Sequence, residues 1–217
     1  MTNQELFSYV DHTLLKPEAT PEQIAVLCAE AAEHGTASVC VNGSYVPLAK
    51  KLLDGKAKVC AVIGFPLGAM STAAKAFEAA EAVRDGADEI DMVIHIGQLK
   101  AGNTDYVLED IKAVKAAIGD HVLKVIIETC LLTEEEKITM CRIVTESGAE
   151  YIKTSTGFST GGATVADVAL FKAHIGPDVK IKAAGGIRSR EDMEQFLQLG
   201  ASRLGTSSAV KILCGKN

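Results

Sequence analysis

Gly148-Ala-Glu-Tyr-Ile-Lys-Thr-Ser-Thr156 reads as the joint between the end of a helix and the start of a buried strand. Gly148 follows a stretch of helical periodicity, where a residue free to turn left-handed closes the last turn without a Cβ clash. Tyr151 to Thr156 is then a short apolar run with strand character. The same phrase recurs at Gly86-Ala-Asp-Glu, Gly200-Ala-Ser-Arg and, more loosely, Gly35-Thr-Ala-Ser, each directly before another such run. The repeat unit is about fifty residues or its multiples.

Working outward from this joint, eight strand candidates lie near residues 9–14, 37–42, 58–65, 89–94, 123–129, 151–156, 179–185 and 203–207, with a helical segment after nearly every one. Thr20-Pro-Glu-Gln23, Thr133-Glu-Glu-Glu136 and Ser189-Arg-Glu-Asp192 each set an oxygen-bearing cap before acids that suit a helix N-terminus, so helices are expected to start there. Gly35, Gly86, Gly119, Gly148, Gly176 and Gly200 mark expected helix ends. Alternating strands and helices imply a parallel sheet. Eight regular units favour closure into a (β/α)8 TIM barrel, with an open doubly wound sheet as the alternative.

A chain of 217 residues, 47% hydrophobic and 23% charged, is long enough for one sizeable core. With no Pro/Gly/Ser-rich linker to divide it, one domain over residues 1–217 is expected. The net charge of -6 arises from 28 acids against 22 bases without a block of like charge, which argues against nucleic acid as a partner and for a small solute. Six cysteines without C-x-x-C spacing fit free thiols in a reducing cytosol. The N-terminus has no basic region followed by an apolar stretch, and no run approaches the eighteen or so residues that cross a bilayer. A cytoplasmic location without membrane insertion is therefore expected.

Strand side chains alternate faces, and in a barrel the outward set meets the helices. Ile90, Met92 and Ile94 outward put Asp91 inward; Ile152 outward puts Lys153 inward; Ile181 outward puts Lys182 inward. Barrel interiors are usually aliphatic, so an acid and two lysines near strand C-terminal ends mark a candidate active site, against the plainer reading of a structural ion pair. Burial and a neighbouring ammonium both disfavour a charged lysine, so a neutral amine near pH 7 is expected, a nucleophile toward carbonyl carbon. Asp11, Thr13, Cys40, Asn42 and Glu128 share the inward parity. Asp11 and Glu128 either restrain the lysines' charges or orient water, or else tie strand ends by hydrogen bonds; Cys40 is a buried inert thiol unless it lies within the lysine field, where positive charge would make it reactive. His12 has the opposite parity and should pack between strand and helix. The spacings contain no metal-binding constellation.

Gly157, Gly161-Gly162, Gly185-Gly186 and Gly205 followed by Thr206-Ser207-Ser208 come at or after the last three strands. Small residues there admit an anion to backbone N–H groups, the usual place for a phosphate in such barrels. Arg188 would stand behind this loop.

The motifs Asp11-His-Thr-Leu-Leu-Lys-Pro17, Glu89-Ile-Asp-Met-Val93, Tyr151-Ile-Lys-Thr-Ser-Thr-Gly-Phe158, Ile181-Lys-Ala-Ala-Gly-Gly-Ile-Arg188 and Gly205-Thr-Ser-Ser208 closely resemble the deoxyribose-phosphate aldolase family over essentially the whole chain. The resemblance implies a cofactor-free class I aldolase that reversibly cleaves 2-deoxy-D-ribose 5-phosphate to D-glyceraldehyde 3-phosphate and acetaldehyde. It also implies a (β/α)8 barrel, a homodimer and a role in deoxynucleoside catabolism. By that resemblance Lys153 forms the Schiff base, Lys182 keeps its neighbour's pKa low, and Asp91 belongs to the proton relay. Gly185, Gly186, Ser207 and Ser208 hold the phosphate, with Gly157 beside them. Some family members end in a tyrosine that reaches back into the site, whereas this chain ends Lys211-Ile-Leu-Cys-Gly-Lys-Asn217. A sugar-phosphate isomerase and a non-catalytic phosphosugar-binding barrel are the competing readings.

Overall fold

The computed structural model describes residues 1–215, so Lys216 and Asn217 of the tail lie outside the described residues. Its strands are β1 (Val10–Leu14), β2 (Ser38–Asn42), β3 (Lys58–Ile63), β4 (Glu89–Val93), β5 (Val122–Ile126), β6 (Tyr151–Lys153), β7 (Lys180–Ala184) and β8 (Ala201–Thr206). They pair in chain order, all parallel, and β8 pairs back to β1, closing the (β/α)8 barrel. The helices are α1 (Asn3–Phe7), α2 (Pro21–His34), α3 (Val46–Leu53), α4 (Thr72–Arg84), α5 (Ile96–Lys100), α6 (Thr104–Ile118), α7 (Glu134–Ser147), α8 (Val165–His174), α9 (Arg190–Gln198) and α10 (Ala209–Cys214).

The three expected helix starts are all capping boxes. Thr20, Thr133 and Ser189 accept from the backbone of Gln23, Glu136 and Asp192, whose side chains return the bond. The glycines of the repeated phrase, Gly35, Gly86, Gly148 and Gly200, all have positive φ. Gly176 differs: its φ is not positive, and it is small for another reason. A Cβ there would lie 2.4 Å from Thr145 Cγ2, while its N–H donates to Thr145 Oγ1 at 2.9 Å.

Parity divides the apolar residues into two separate groups. Val39, Val41, Val59, Ala61, Ile63, Ile90, Met92, Ile94, Leu123, Val125, Ile152, Ile181 and Leu204 join the helices' apolar faces in one large core outside the barrel. Burial of each larger aliphatic there contributes about 1.5–3 kcal/mol, so this shell is the principal source of stability. A second, small group formed by Leu15, Cys40, Cys60 and Val62, with Phe65 against it, lines the lumen beside β1, β2 and β3. Charge fills the rest of the lumen.

Several strands end earlier than the apolar runs suggest. β5 stops at Ile126, and Glu128 is turned into the left-handed region at φ 54. β6 stops at Lys153 because Thr154 Oγ1 accepts from Ala184 N–H and donates to Ala184 O, both at 3.1 Å. The loops after β6 and β7 then touch glycine against glycine. A Cβ on Gly162 would lie 2.4 Å from the carbonyl carbon and oxygen of Gly185, and Ala163 N–H donates to Ala184 O and Gly185 O at 3.0 Å each.

Candidate active site

Asp91, at the middle of β4, is the centre of the buried network. Its Oδ2 accepts from Lys153 Nζ and from Lys182 Nζ, each at 2.7 Å, so the two amines are no farther apart than twice that distance. Its Oδ1 accepts from Lys124 Nζ at 2.8 Å and from Cys60 Sγ at 3.1 Å. One carboxylate is thus anchored through one oxygen and shared between two lysines through the other. Lys182 also pairs with Asp11 Oδ2. Its stem runs so close to β8 that a Cβ on Gly205 would lie 3.1 Å from Lys182 Cε and 2.9 Å from Ala184 Cβ, which is why a glycine stands there.

Deeper in the lumen, Lys124 reaches Glu89 at 2.7 Å, and Arg203 donates to Asp11 at 2.6 Å and to the two Glu89 oxygens at 2.8 and 3.2 Å. Ser38 Oγ donates to Asp11 at 2.7 Å. The buried ion pairs of the lumen therefore involve four buried cations, Lys124, Lys153, Lys182 and Arg203, and three carboxylates, Asp11, Glu89 and Asp91. Sequence reading missed Lys124, Glu89, Arg203 and Cys60. Glu89 has the parity of Asp91, and Lys124 lies between Leu123 and Val125 as Asp91 lies between Ile90 and Met92, so alternation held the signal.

Burial opposes ionisation of Asp91, but Lys124, Lys153 and Lys182 outweigh it and hold the carboxyl well below the usual range. Asp11 is likewise depressed, with Lys182, Lys124 and Arg203 overcoming its burial. The expectation of a neutral amine fails for Lys182. Burial disfavours its charge, yet Asp11 and Asp91 outweigh that and raise its pKa. Lys124 is raised for the same reason, by Asp91, Cys60, Asp11 and Glu89 against its burial. Asp11 and Asp91 thus favour the ammonium form of Lys182 beside Lys153.

Because Asp11, Glu89 and Asp91 are all depressed, the native state binds fewer protons than the unfolded chain once pH falls toward 4. Their contribution is complete above the unfolded carboxyl range of about 4 and is lost as pH drops through the lower native values. Urea melts are expected to give constant stability between about pH 7 and 5 and a steep fall below about pH 4, about 2 kcal/mol for each carboxylate protonated. Constant stability down to pH 3 would contradict the network.

Other expected site residues divide clearly. Cys40, fully buried, pairs in register with Cys60 on the lumen wall. Glu128 takes the tethering role: it accepts from Thr156 N–H at 3.3 Å and from Thr156 Oγ1, fixing the loop after β6 rather than a lysine. Thr13 and Asn42 bond backbone oxygens of Asp11 and Leu15. His12 packs outward on α2, 2.7 Å from Glu30. Gly157, Gly185 and Gly186 all have positive φ at the mouth, where Ser207 is exposed and Ser208 half-buried, its N–H on Thr206 Oγ1. Arg188 is exposed after β7. Cys40 Sγ, Cys60 Sγ and an Asp91 oxygen lie within 4.8 Å of one another, a donor set able to hold a metal ion. Lys124 Nζ already supplies positive charge there, 3.2 Å from Cys60 Sγ.

The model of the DeoC/LacD family of aldolases matches residues 6–217. A Streptococcus suis protein named deoxyribose-phosphate aldolase is 60% identical over 212 residues, covering 97% of this chain and 96% of the relative. A Clostridium botulinum protein of the same name is 54% identical over 216 residues, covering 100% and 98%. Among solved structures, the tetrameric deoxyribose phosphate aldolase of Aeropyrum pernix superposes with a TM-score of 0.89 at 32% identity, over 99% of this chain and 92% of that one.

Proposed function

This chain belongs to the DeoC/LacD aldolase family and is an aldolase, and we propose that it cleaves 2-deoxy-D-ribose 5-phosphate reversibly through a Schiff base on Lys153. The observation that carries the reading is the single oxygen, Asp91 Oδ2, held 2.7 Å from both lysines. Lys153 ends β6 at the C-terminal face, where barrel enzymes act, and its one ion-pair partner is shared. Lys182, its register partner on β7, has two carboxylates holding its charge. Lys153 is therefore the nucleophile and Lys182 the neighbouring cation.

Lys153 attacks the aldehyde carbon of the open-chain sugar, and the carbinolamine loses water to give an iminium. Asp91 receives the proton that Lys153 gives up before it attacks; Lys182 supplies one to the departing hydroxyl, which leaves as water, and takes the proton from Asp91 in return. Asp91 then takes the C3 hydroxyl proton and the C2–C3 bond breaks, releasing D-glyceraldehyde 3-phosphate, while the bonding electrons pass into the iminium and form an enamine. Asp91 passes that proton to C2, and water hydrolyses the resulting iminium, releasing acetaldehyde and restoring Lys153. Gly157, Gly185, Gly186, Ser207 and Ser208 at the mouth hold the phosphate in this proposal, with Arg188 behind them.

The apolar lumen wall of Leu15, Val62 and Phe65 supports a substrate lacking its 2-hydroxyl, with C2 facing that wall in this proposal. An added hydroxyl against that wall would lose water without gaining a partner. Assays of both sugars should give acetaldehyde and triose phosphate in equal amounts from 2-deoxyribose 5-phosphate, with kcat/KM about a hundredfold lower for ribose 5-phosphate. Equal turnover of the two would remove the wall's assigned role, and no acetaldehyde would remove the reaction. Among the described residues no helix is long and apolar enough to cross a membrane; a cytoplasmic homodimer completes the proposal.

A further inference from the structure

Cys40 and Cys60 form a thiol pair against the catalytic carboxylate that the aldol chemistry leaves without a role. They are direct neighbours in register on β2 and β3. Paired strands lie about 4.8 Å apart, inside the roughly 4.4–6.8 Å of Cα separation that a disulfide spans. Equal parity sends both side chains into the lumen, and their sulfurs and an Asp91 oxygen lie within 4.8 Å of one another. We propose that Cys40 and Cys60 are an oxidation site, closed to a disulfide by hydrogen peroxide, and that closure suppresses turnover.

The two thiols differ. Cys40 is lowered, first by a hydrogen bond from Cys60 and then, against its burial and Asp91, by Lys182 and Lys153. Cys60 is raised by burial, by Cys40 and by Asp91, and so keeps its proton. It has one proton to offer, to Asp91 Oδ1 at 3.1 Å or to Cys40. Burial alone pushes Cys28, away from the lumen, up to about 11. Cys40 is thus the attacking sulfur and Cys60 the resolving one.

In the first step the Cys40 thiolate attacks one peroxide oxygen. The O–O bond breaks, a sulfenic acid forms, and the departing hydroxide takes up the proton that Cys40 gave away, leaving as water. In the second, Cys60 gives up its proton and attacks the Cys40 sulfur. The S–S bond forms, the S–O bond breaks, and hydroxide leaves with the Cys60 proton as a second water. Two thiols lose two electrons and one peroxide gains them. Both thiols are fully buried, but this inference rests on the proposed function: any route that brings a phosphorylated sugar to Lys153 and Asp91 admits a molecule as small as peroxide.

The disulfide takes Cys60 away from Asp91 Oδ1, leaving Lys124 alone to hold that oxygen. Loss of one hydrogen bond to the carboxylate is expected to lower kcat about tenfold, and a thiol reductant should restore it.

The test uses the full chain and a Cys130→Ser/Cys214→Ser variant that removes the two exposed thiols. After peroxide and alkylation, intact mass should show the loss of two hydrogens, digestion should give a peptide linking Cys40 to Cys60, and activity should fall about tenfold and return with dithiothreitol. Oxygen added to Cys40 without the linked peptide would overturn the proposal, as would links confined to Cys130 or Cys214, or a disulfide with full activity. Acetaldehyde with borohydride on the reduced protein keeps the two readings apart. Labelled Lys153 without disulfide rejects the oxidation site alone, whereas unlabelled Lys153 rejects the Schiff base whatever the thiols do.

Discussion

Replacing Lys153 with methionine is expected to abolish the two-carbon adduct that acetaldehyde and borohydride leave on the wild type, and to lower kcat by about ten-thousandfold or more. Methionine keeps most of the buried stem but has no amine to attack a carbonyl. The fold should tolerate the change. In the lumen network Lys153 is one of four buried cations facing three carboxylates, and its ion-pair partner, Asp91, retains Lys124 and Lys182. Its removal leaves three cations on three carboxylates, so no buried charge loses its only partner. Urea melts should place Lys153→Met within about 1 kcal/mol of the wild type. Intact-mass spectrometry reads the adduct. Its survival in Lys153→Met, or its location on Lys182, would overturn the assignment.

Asp91→Asn, unlike Lys153→Met, is expected to cost stability although it breaks the same ion pair. Asparagine keeps the shape but removes one of the three carboxylates in the lumen network, leaving its four buried cations facing Asp11 and Glu89. Lys153 then has no carboxylate. An uncompensated buried charge typically costs about 3–5 kcal/mol, which urea melts should show. Turnover should fall about a thousandfold, because the group that exchanges protons between the two lysines is lost. The double variant Lys153→Met/Asp91→Asn removes the excess cation together with the acid and should regain part of that stability. Strictly additive losses would mean that Lys153 and Asp91 are not energetically coupled.

The chain's local grammar was readable wherever the physics is local. The caps at Thr20, Thr133 and Ser189 act on backbone groups within three residues, and all three form. Alternation along a strand depends only on chain geometry, so it placed Asp91, Lys153 and Lys182 inward before any strand was paired. Gly176 was misread as a left-handed helix end because its reason for being small, Thr145, lies on another helix.

The sequence by itself thus determined eight strand–helix units, with closure favoured over an open sheet, an apolar outer shell and an inward acid with two lysines, since each follows from period, cap or parity. Only the tertiary structure decided how those charges behave. Lys182 and Asp91 are 91 positions apart, yet their 2.7 Å contact, with Asp11 alongside, keeps the lysine charged where burial alone would neutralise it. Lys124, Glu89 and Arg203 joined the network, and Cys40 met Cys60, only through strand register. Electrostatic energy depends on distance and on the surrounding medium, and both are set when the barrel closes.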